Sequence, residues 1–261
     1  MRVRWLGWAG VEIEEGGEHI VVDPLKDAAA VFAWLGDRAA AMPRPEVIAP
    51  RAGALAGLLT HLHRDHADAA ALAASLSGDA SVYEPQGYGG SRTEQLAIAQ
   101  ADQELTAAEL SRTPTAPWTS RTIGPFTVTA LPAVDGTGDP QVSWLIEAGG
   151  QRALHLGDTM FHGWWWRITG RFGAPNVVLA PINGARVAFP HRQPASSLAA
   201  VMDPEQAALA AKLLGAEQLV PIHYDGYALP GIYEPAPDAL NRLKSTSNRV
   251  TTLHLGESIE I

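Results

Sequence analysis

The chain contains no cysteine among its 261 residues. Disulfides, thiolate zinc sites, iron–sulfur clusters and thiol nucleophiles are excluded together. Any transition-metal site must be built from His, Asp and Glu. Positive charge is also scarce: 19 Lys plus Arg face 28 Asp plus Glu, a formal charge of −9. Such a surface repels a phosphate backbone, so general nucleic-acid binding is not expected. No apolar run approaches the roughly 18 residues that span a bilayer, and stable membrane insertion is not expected. The opening MRVRWLGWAGVEIEE lacks the apolar stretch of about 7–15 residues of a secretory signal, which points to a cytoplasmic protein. Long charged or Pro/Ser-rich linkers and internal repeats are missing too, so residues 1–261 read as one domain.

What is present can build a large core: 46% of residues are apolar and 18% charged, which argues against disorder. With 25 Gly and 19 Pro, the elements should be short. Alternation predicts strands at Val3–Trp5, Val11–Glu14, His19–Val22, Thr122–Leu131, Val142–Glu147 and Ala153–Leu156. Buried strands are expected at Leu55–Thr60, Val177–Ala180 and Leu219–Ile222, with shorter ones at Val82–Tyr83 and Val250–Leu255. Residues 67–76 are Ala- and Leu-rich and predict a helix. Asp203-Pro204-Glu205-Gln206 marks another, with Asp as N-cap, Pro at N1 and Gln at N3, ending at Gly215. A last helix is expected over Asp238–Lys244. Residues 26–54 read as a short helix and a loop flanking a pocket, and 93–110 as weakly patterned. The mixture fits layered α and β with mixed sheets.

The sharpest feature is Thr60-His61-Leu62-His63-Arg64-Asp65-His66. It follows an apolar strand and precedes a helix, where α/β sites gather. Imidazoles and a carboxylate crowded at a buried strand end are costly unless something satisfies them. A divalent cation does so, since neutral imidazole and carboxylate oxygen are good ligands for zinc, iron or manganese. Two later strand ends carry ligand-type residues as well, in Leu156-Gly157-Asp158-Thr159 and Pro221-Ile222-His223-Tyr224.

His61-x-His63-x-Asp65-His66, Gly157-Asp158-Thr159 and Pro221-Ile222-His223 resemble the metallo-β-lactamase-fold hydrolases. Trp5-Leu6-Gly7-Trp8-Ala9-Gly10 and Val22-Asp23-Pro24 are similar to that fold's first hairpin. The closest branch looks like the L-ascorbate-6-phosphate lactonase-like and N-acylphosphatidylethanolamine phospholipase-D-like hydrolases. The resemblance implies an α/β (α+β) fold, an αββα four-layer sandwich with two divalent transition-metal ions at one edge. It implies His61 and His63 on the first metal, Asp65, His66 and His223 on the second, and Asp158 between them. Where the family carries a further His on the first metal, this chain reads Pro132-Ala133-Val134-Asp135-Gly136. Asp135 is expected to replace that His; the other reading is a turn residue, since Asp-Gly favours turns. With three Asp among seven ligands, preference should move towards manganese or iron, with zinc still allowed. The flavodiiron oxidoreductase branch carries Glu where this chain has His63, which favours hydrolysis.

The implied mechanism is attack by a metal-bridging hydroxide on an ester, lactone, amide or phosphodiester, with Asp65 and Asp158 as catalytic residues. No G-x-S-x-G elbow is present. Loops leaving the strand ends supply His162, Trp164, Asn183, His191 and Tyr224 as candidate substrate-binding residues. Trp164, Trp165 and Trp166 read more naturally as core packing; His19 and His254 read as structural, and His155 as support behind Asp158. The expected partner is a small-molecule substrate, and a homo-oligomer is allowed. Two other readings stay open. One is a catalytically weak metal-binding or sensor module, if Asp135 holds its metal poorly. The other is a phosphodiesterase for lipid-like or nucleotide substrates: an apolar groove beside residues 26–54 would favour a lipid, and converging Arg186 and Arg192 a phosphate.

Overall fold

Strand residues alternate between two buried faces, and this builds the layers. A computed structural model describes residues 1–91 and 95–261. The first sheet contains β1 (Arg2–Gly7), β2 (Gly10–Glu15), β3 (Glu18–Val22), β4 (Ala54–Leu58), β5 (Leu76–Pro85) and β6 (Arg112–Thr115). The second contains β7 (Ser120–Ile123), β8 (Phe126–Pro132), β9 (Val142–Ala148), β10 (Gln151–His155), β11 (Val177–Pro181) and, beyond the small ribbon strand β12 (Arg186–Val187), β13 (Gln218–Ile222). β14 (Tyr233–Glu234) pairs with β12, and β15 (Ser258–Glu260) closes the first sheet against β1. The sheet orders are β15-β1-β2-β3-β4-β5-β6 and β13-β11-β10-β9-β8-β7.

In β11, Val177 and Leu179 face the core between the sheets, while Val178 and Ala180 face a second core. That is the period of two that a strand buried on both sides requires. The inter-sheet core joins Val11, Ile13, Ile20 and Leu58 to Phe126, Val128, Trp144 and Ile146. After α1 (Asp37–Ala40), helices α2 (Ala69–Ser75) and α3 (Leu96–Ala107) cover the outer face of the first sheet through Leu72 and Leu105. Helices α4 (Trp165–Phe172), α5 (Pro204–Leu214) and α6 (Ala239–Thr246) cover the second through Ile168, Leu214 and Leu243. The result is the expected four-layer αββα sandwich.

The α5 start forms as its sequence predicts. Gln206 N donates to Asp203 Oδ1 at 2.8 Å, and Asp203 N donates back to Gln206 Oε1 at 3.2 Å. Four expectations need correction. Thr122–Leu131 is not one strand: Thr122 and Ile123 end β7, which turns back and pairs antiparallel with β8. Of residues 93–110, 93 and 94 lie outside the described residues, and the rest is dominated by α3, whose Ala101 and Leu105 are buried. Val250–Leu255 forms no strand: Val250 makes a single bridge to Leu219, and His254 is exposed. The three Trp do not pack together, because neighbouring helical residues point apart: Trp165 is fully buried while Trp166 is 60% exposed.

Candidate metal centre

The site forms where strands end. β4 leads into His61–His66, β8 into Asp135, β10 into Asp158 and β13 into His223. Parallel pairing of β10 with β11 and of β11 with β13 brings Asp158 and His223 to the same edge. Gly157 turns the chain at φ +68°, a region costly for other residues, and a Cβ there would lie 2.9 Å from Thr60. Gly136 is fixed by space: a Cβ would stand 2.1 Å from the Ala200 carbonyl oxygen.

The ligand-type atoms fall into two groups. His61, His63, Asp135 and Asp158 form one, and Asp65, His66 and His223 the other, with all atoms of a group within 4.8 Å of one another. The groups adjoin: the His61 ring lies 4.3 Å from His63 and 4.2 Å from His66, which is 5.1 Å from His223. His61 Nε2 and His66 Nε2 are buried without hydrogen-bond partners, while His223 turns its Nε2 to Asp65 Oδ2 at 3.4 Å. Orphaned buried nitrogens are uncommon in folded proteins, and a cation is the partner this donor set fits. Asp135 makes the turn of its motif and also stands among the ligand-type atoms of the first group. Its Oδ1 accepts from Thr137 N, Thr137 Oγ1 and Asp139 N at 2.7, 2.7 and 3.1 Å, forming the turn. Its Oδ2 is left 3.8 Å from His63 Nδ1.

Neighbours absent from the motif hold these groups in place. His66 Nδ1 donates to Asp23 Oδ2 at 2.7 Å, leaving Nε2 to face Asp65 at 3.5 Å. His63 Nε2 donates to Asp139 Oδ2 at 3.0 Å, and Arg192 Nη2 donates to both Asp139 oxygens at 3.1 and 2.9 Å. Trp8 Nε1 donates to Asp65 Oδ2 at 2.9 Å. The Gln141 amide, oriented to satisfy both ends, donates to Asp158 Oδ1 and accepts from Thr159 N, each at 2.9 Å. Carboxylate–imidazole pairs of this kind fix the tautomer of a ligating His. The sequence offered one cue to Asp23 and none to Asp139 or Gln141: Asp23 ends a strand before Pro24.

Burial and crowding move the protons. For His63, burial lowers the pKa, but Asp135, the Asp139 hydrogen bond and Asp158 outweigh it and raise it to about 10. His66 is likewise disfavoured by burial yet raised to about 9 by Asp65 and Asp23. Burial depresses His61 well below the ordinary range and His223 to about 4. Burial pushes Asp65 up, but His66 and His223 hold it well below the usual carboxylate value. Asp158 is raised to about 7, by burial first and by Asp135 next among the raising influences.

The family described as Beta-lactamase superfamily domain matches residues 18–224. The chain belongs to the beta-lactamase superfamily. Among superfamily relatives it is similar to the UPF0173 metal-dependent hydrolase TK0141 of Thermococcus kodakarensis, 27% identical over 270 residues and covering all of both chains. It shares the fold of Igni18, a metallo hydrolase from Ignicoccus hospitalis, at TM-score 0.63 and 20% identity over 99% of this chain and 97% of that one. It also shares the fold of an isothiocyanate hydrolase from Delia radicum gut bacteria, at TM-score 0.68 and 17% identity over 100% and 99%.

Beside the ligands lies a cavity of about 440 Å³, lined by His63, Asp65, Asp135, Asp158 and His223 on one side. Of the candidate substrate-binding residues, His191 lines it. The others do not, each for a packing reason. His162 stacks on the Trp165 ring at 3.7 Å, and Trp164 packs against Trp118 at 5.9 Å. Tyr224 stacks parallel to Trp5 at 6.1 Å. Asn183 is buried behind the wall, where its Nδ2 donates to Tyr233 Oη at 2.7 Å. His155 sits between Ala9 O (2.8 Å) and the Gly157 amide (3.2 Å), steadying the turn before Asp158. His19 Nε2 lies 3.3 Å from Arg51 O, as a structural residue should. Residues 26–54 flank the cavity as expected, through Val31, Phe32 and Trp34.

Proposed function

We propose that the protein is a hydrolase with a two-metal centre. His61, His63, Asp135 and Asp158 would hold one ion; Asp65, His66 and His223 would hold the other. The observation that carries the reading is the pair of adjoining ligand groups with two buried, unpartnered imidazole nitrogens, His61 Nε2 and His66 Nε2. The description of the relatives as metal-dependent hydrolases supports the same class. Two such ions, when bound, ionise a water near neutral pH and polarise the bond under attack.

The chain's own residues do the rest. Asp23 and Asp139 hold protons on His66 Nδ1 and His63 Nε2 and so aim the opposite nitrogens into the site. Trp8 ties one oxygen of Asp65, which leaves the other to orient water or accept its proton. Asp158, in the first group and near enough to His66 of the second to feel its charge, would serve both. The partner in this reading is a small-molecule substrate in the adjoining cavity, with manganese, iron or zinc as the ion. The likeness to the lactonase-like and phospholipase-D-like branch, and a cytoplasmic location, belong to the same proposal. No described helix is long and apolar enough to cross a membrane.

The test is chelation. Metal-free protein should lose hydrolysis of activated esters, and adding back a single type of ion should restore it. Asp65→Asn should lower kcat by about 10²–10⁴-fold, the range of a positioned acid–base group. Hydrolysis that survives both chelation and Asp65→Asn would contradict the reading.

A further inference from the structure

We infer that the substrate is a neutral acyl compound, an ester, lactone or amide, whose apolar group fills the cavity beside the ligands. The inference rests on the hydrolase reading above and adds the substrate class. Water adds across the acyl–oxygen or acyl–nitrogen bond, giving a carboxylic acid and an alcohol or amine.

Much of the remaining lining is apolar and aromatic: Val31, Phe32, Trp34, Val187, Phe189 and Tyr233. Its rings interlock. Phe32 lies 5.6 Å from Tyr233 and 6.3 Å from Phe189, and Trp34 stands edge-on to Phe189 at 5.9 Å. The Asn183 hydrogen bond pins the Tyr233 phenol, so the wall is formed before anything binds. At about 440 Å³ the space falls within the roughly 300–1,000 Å³ of small-molecule sites. Two large apolar side chains at its edge, Trp34 and Leu96, are 48% and 52% exposed. Exposed apolar surface at a cavity marks a route for apolar ligands.

The cationic groups point the same way. Arg64 is the one Arg or Lys among the described residues lining the cavity. Its Nε lies 2.7 Å from Glu104 and its Nη1 3.4 Å from Asp68, so its charge is already matched. Arg192 is engaged by Asp139, and neither it nor Arg186, which is exposed on β12, lines the space. Away from the ligand groups, a phosphate or carboxylate on the substrate would leave water with no free side-chain cation to meet it, which is unfavourable. The other polar side chains of the lining are neutral: Gln100, Gln103, Thr137 and His191, the last with Nε2 buried and unpartnered. Burial, then Arg192, lower its pKa. An uncharged imidazole N–H suits an acyl or ether oxygen.

The experiment compares p-nitrophenyl esters on the metal-loaded protein. Hexanoate should exceed acetate in kcat/KM by at least about tenfold, as added buried methylenes require. It should exceed mono-p-nitrophenyl adipate, the same chain ending in a carboxylate, and bis(p-nitrophenyl) phosphate by a similar factor. Trp34→Ala and Val187→Asp should each shrink the hexanoate-to-acetate ratio. Equal or better cleavage of the adipate or the phosphodiester overturns the inference and leaves the hydrolase reading intact. If no compound is cleaved, the hydrolase reading fails on these bonds, and binding still decides the substrate class. Neutral N-phenyl-1-naphthylamine should bind one per chain, displaced by hexanamide and weakened at least about tenfold by Val187→Asp. No binding, or binding unchanged in both variants, overturns it.

Discussion

His66 Nδ1 donates to Asp23 Oδ2 at 2.7 Å, and the same carboxylate accepts from the Thr60 amide at 2.7 Å and its hydroxyl at 2.6 Å. Asp23 is fully buried and sits at φ +44°, an unfavourable backbone for a residue with a Cβ. It ties the end of β3 to the His-rich loop and sets which His66 nitrogen faces the site.

Asp23→Asn therefore keeps the shape and removes the charge behind His66. Metal affinity at the Asp65–His66–His223 group should fall about 10–100-fold, while the fold persists. Competition with a chromogenic chelator measures the first, and circular dichroism the second. Unchanged affinity would show that Asp23 only braces the backbone.

Metal uptake should displace protons. His63, raised to about 10, and His66, raised to about 9, both carry protons at pH 8 in the metal-free protein. Loading both groups at pH 8 should thus release about two protons per chain from these residues and about one more from the water the ions ionise. Titration calorimetry in buffers of different ionisation heat reads the number, and a value near zero would count against this electrostatic account. The same shifts set stability. Both folded-state values lie above the ordinary His range, so their contribution is complete below about pH 6.5 and is lost as pH rises through 9 to 10. Asp158, raised to about 7, acts with the same sign at lower pH. The metal-free melting temperature should fall between pH 7 and 10, and the metal-loaded protein should resist that fall.

Asp135→His should restore the more common ligand and raise the charge of the site by one. Zinc should gain on manganese in direct competition, because an oxygen ligand is replaced by imidazole. An unchanged zinc-to-manganese ratio would mean that Asp135 holds no ion.

The three consecutive Trp separate core from surface. Trp165→Ala should cost about 3–5 kcal/mol, as for a fully buried aromatic. Trp166→Ala should stay within about 0.5 kcal/mol. Urea unfolding of both variants compares them; equal losses would contradict the burial described for α4.

The fold and the His-rich strand end were legible in the sequence for a shared reason, whereas the joining of Asp135, Asp158 and His223 to that loop was implied by the family resemblance. Alternating strands, a capped α5 and a His-rich strand end are local patterns, and each is written in adjacent residues. The supporting groups were barely legible: Asp23 alone carried a cue, and Asp23, Asp139, Gln141 and Trp8 meet the ligands they support across long stretches of chain. Four of the five candidate substrate contacts do not line the cavity. His162, Trp164 and Tyr224 leave the correct strand ends, but their rings find aromatic partners in the packing around them. Asn183 ends one layer behind the cavity. The wall at Phe32, Trp34 and Phe189 came from loops whose composition marks them as flanking a pocket without saying which side chains turn inward.

Metal content per chain is the measurement that tests the central claim most directly. Protein purified without chelator, and then incubated with manganese, iron or zinc, is analysed by inductively coupled plasma mass spectrometry beside Asp135→Ala. About two transition-metal ions in the parent, with a drop towards one in the variant, is the predicted result. About one ion in both would mean that the Asp135 group is not a working metal site. None in either, under every ion tried, would contradict the two-metal centre outright.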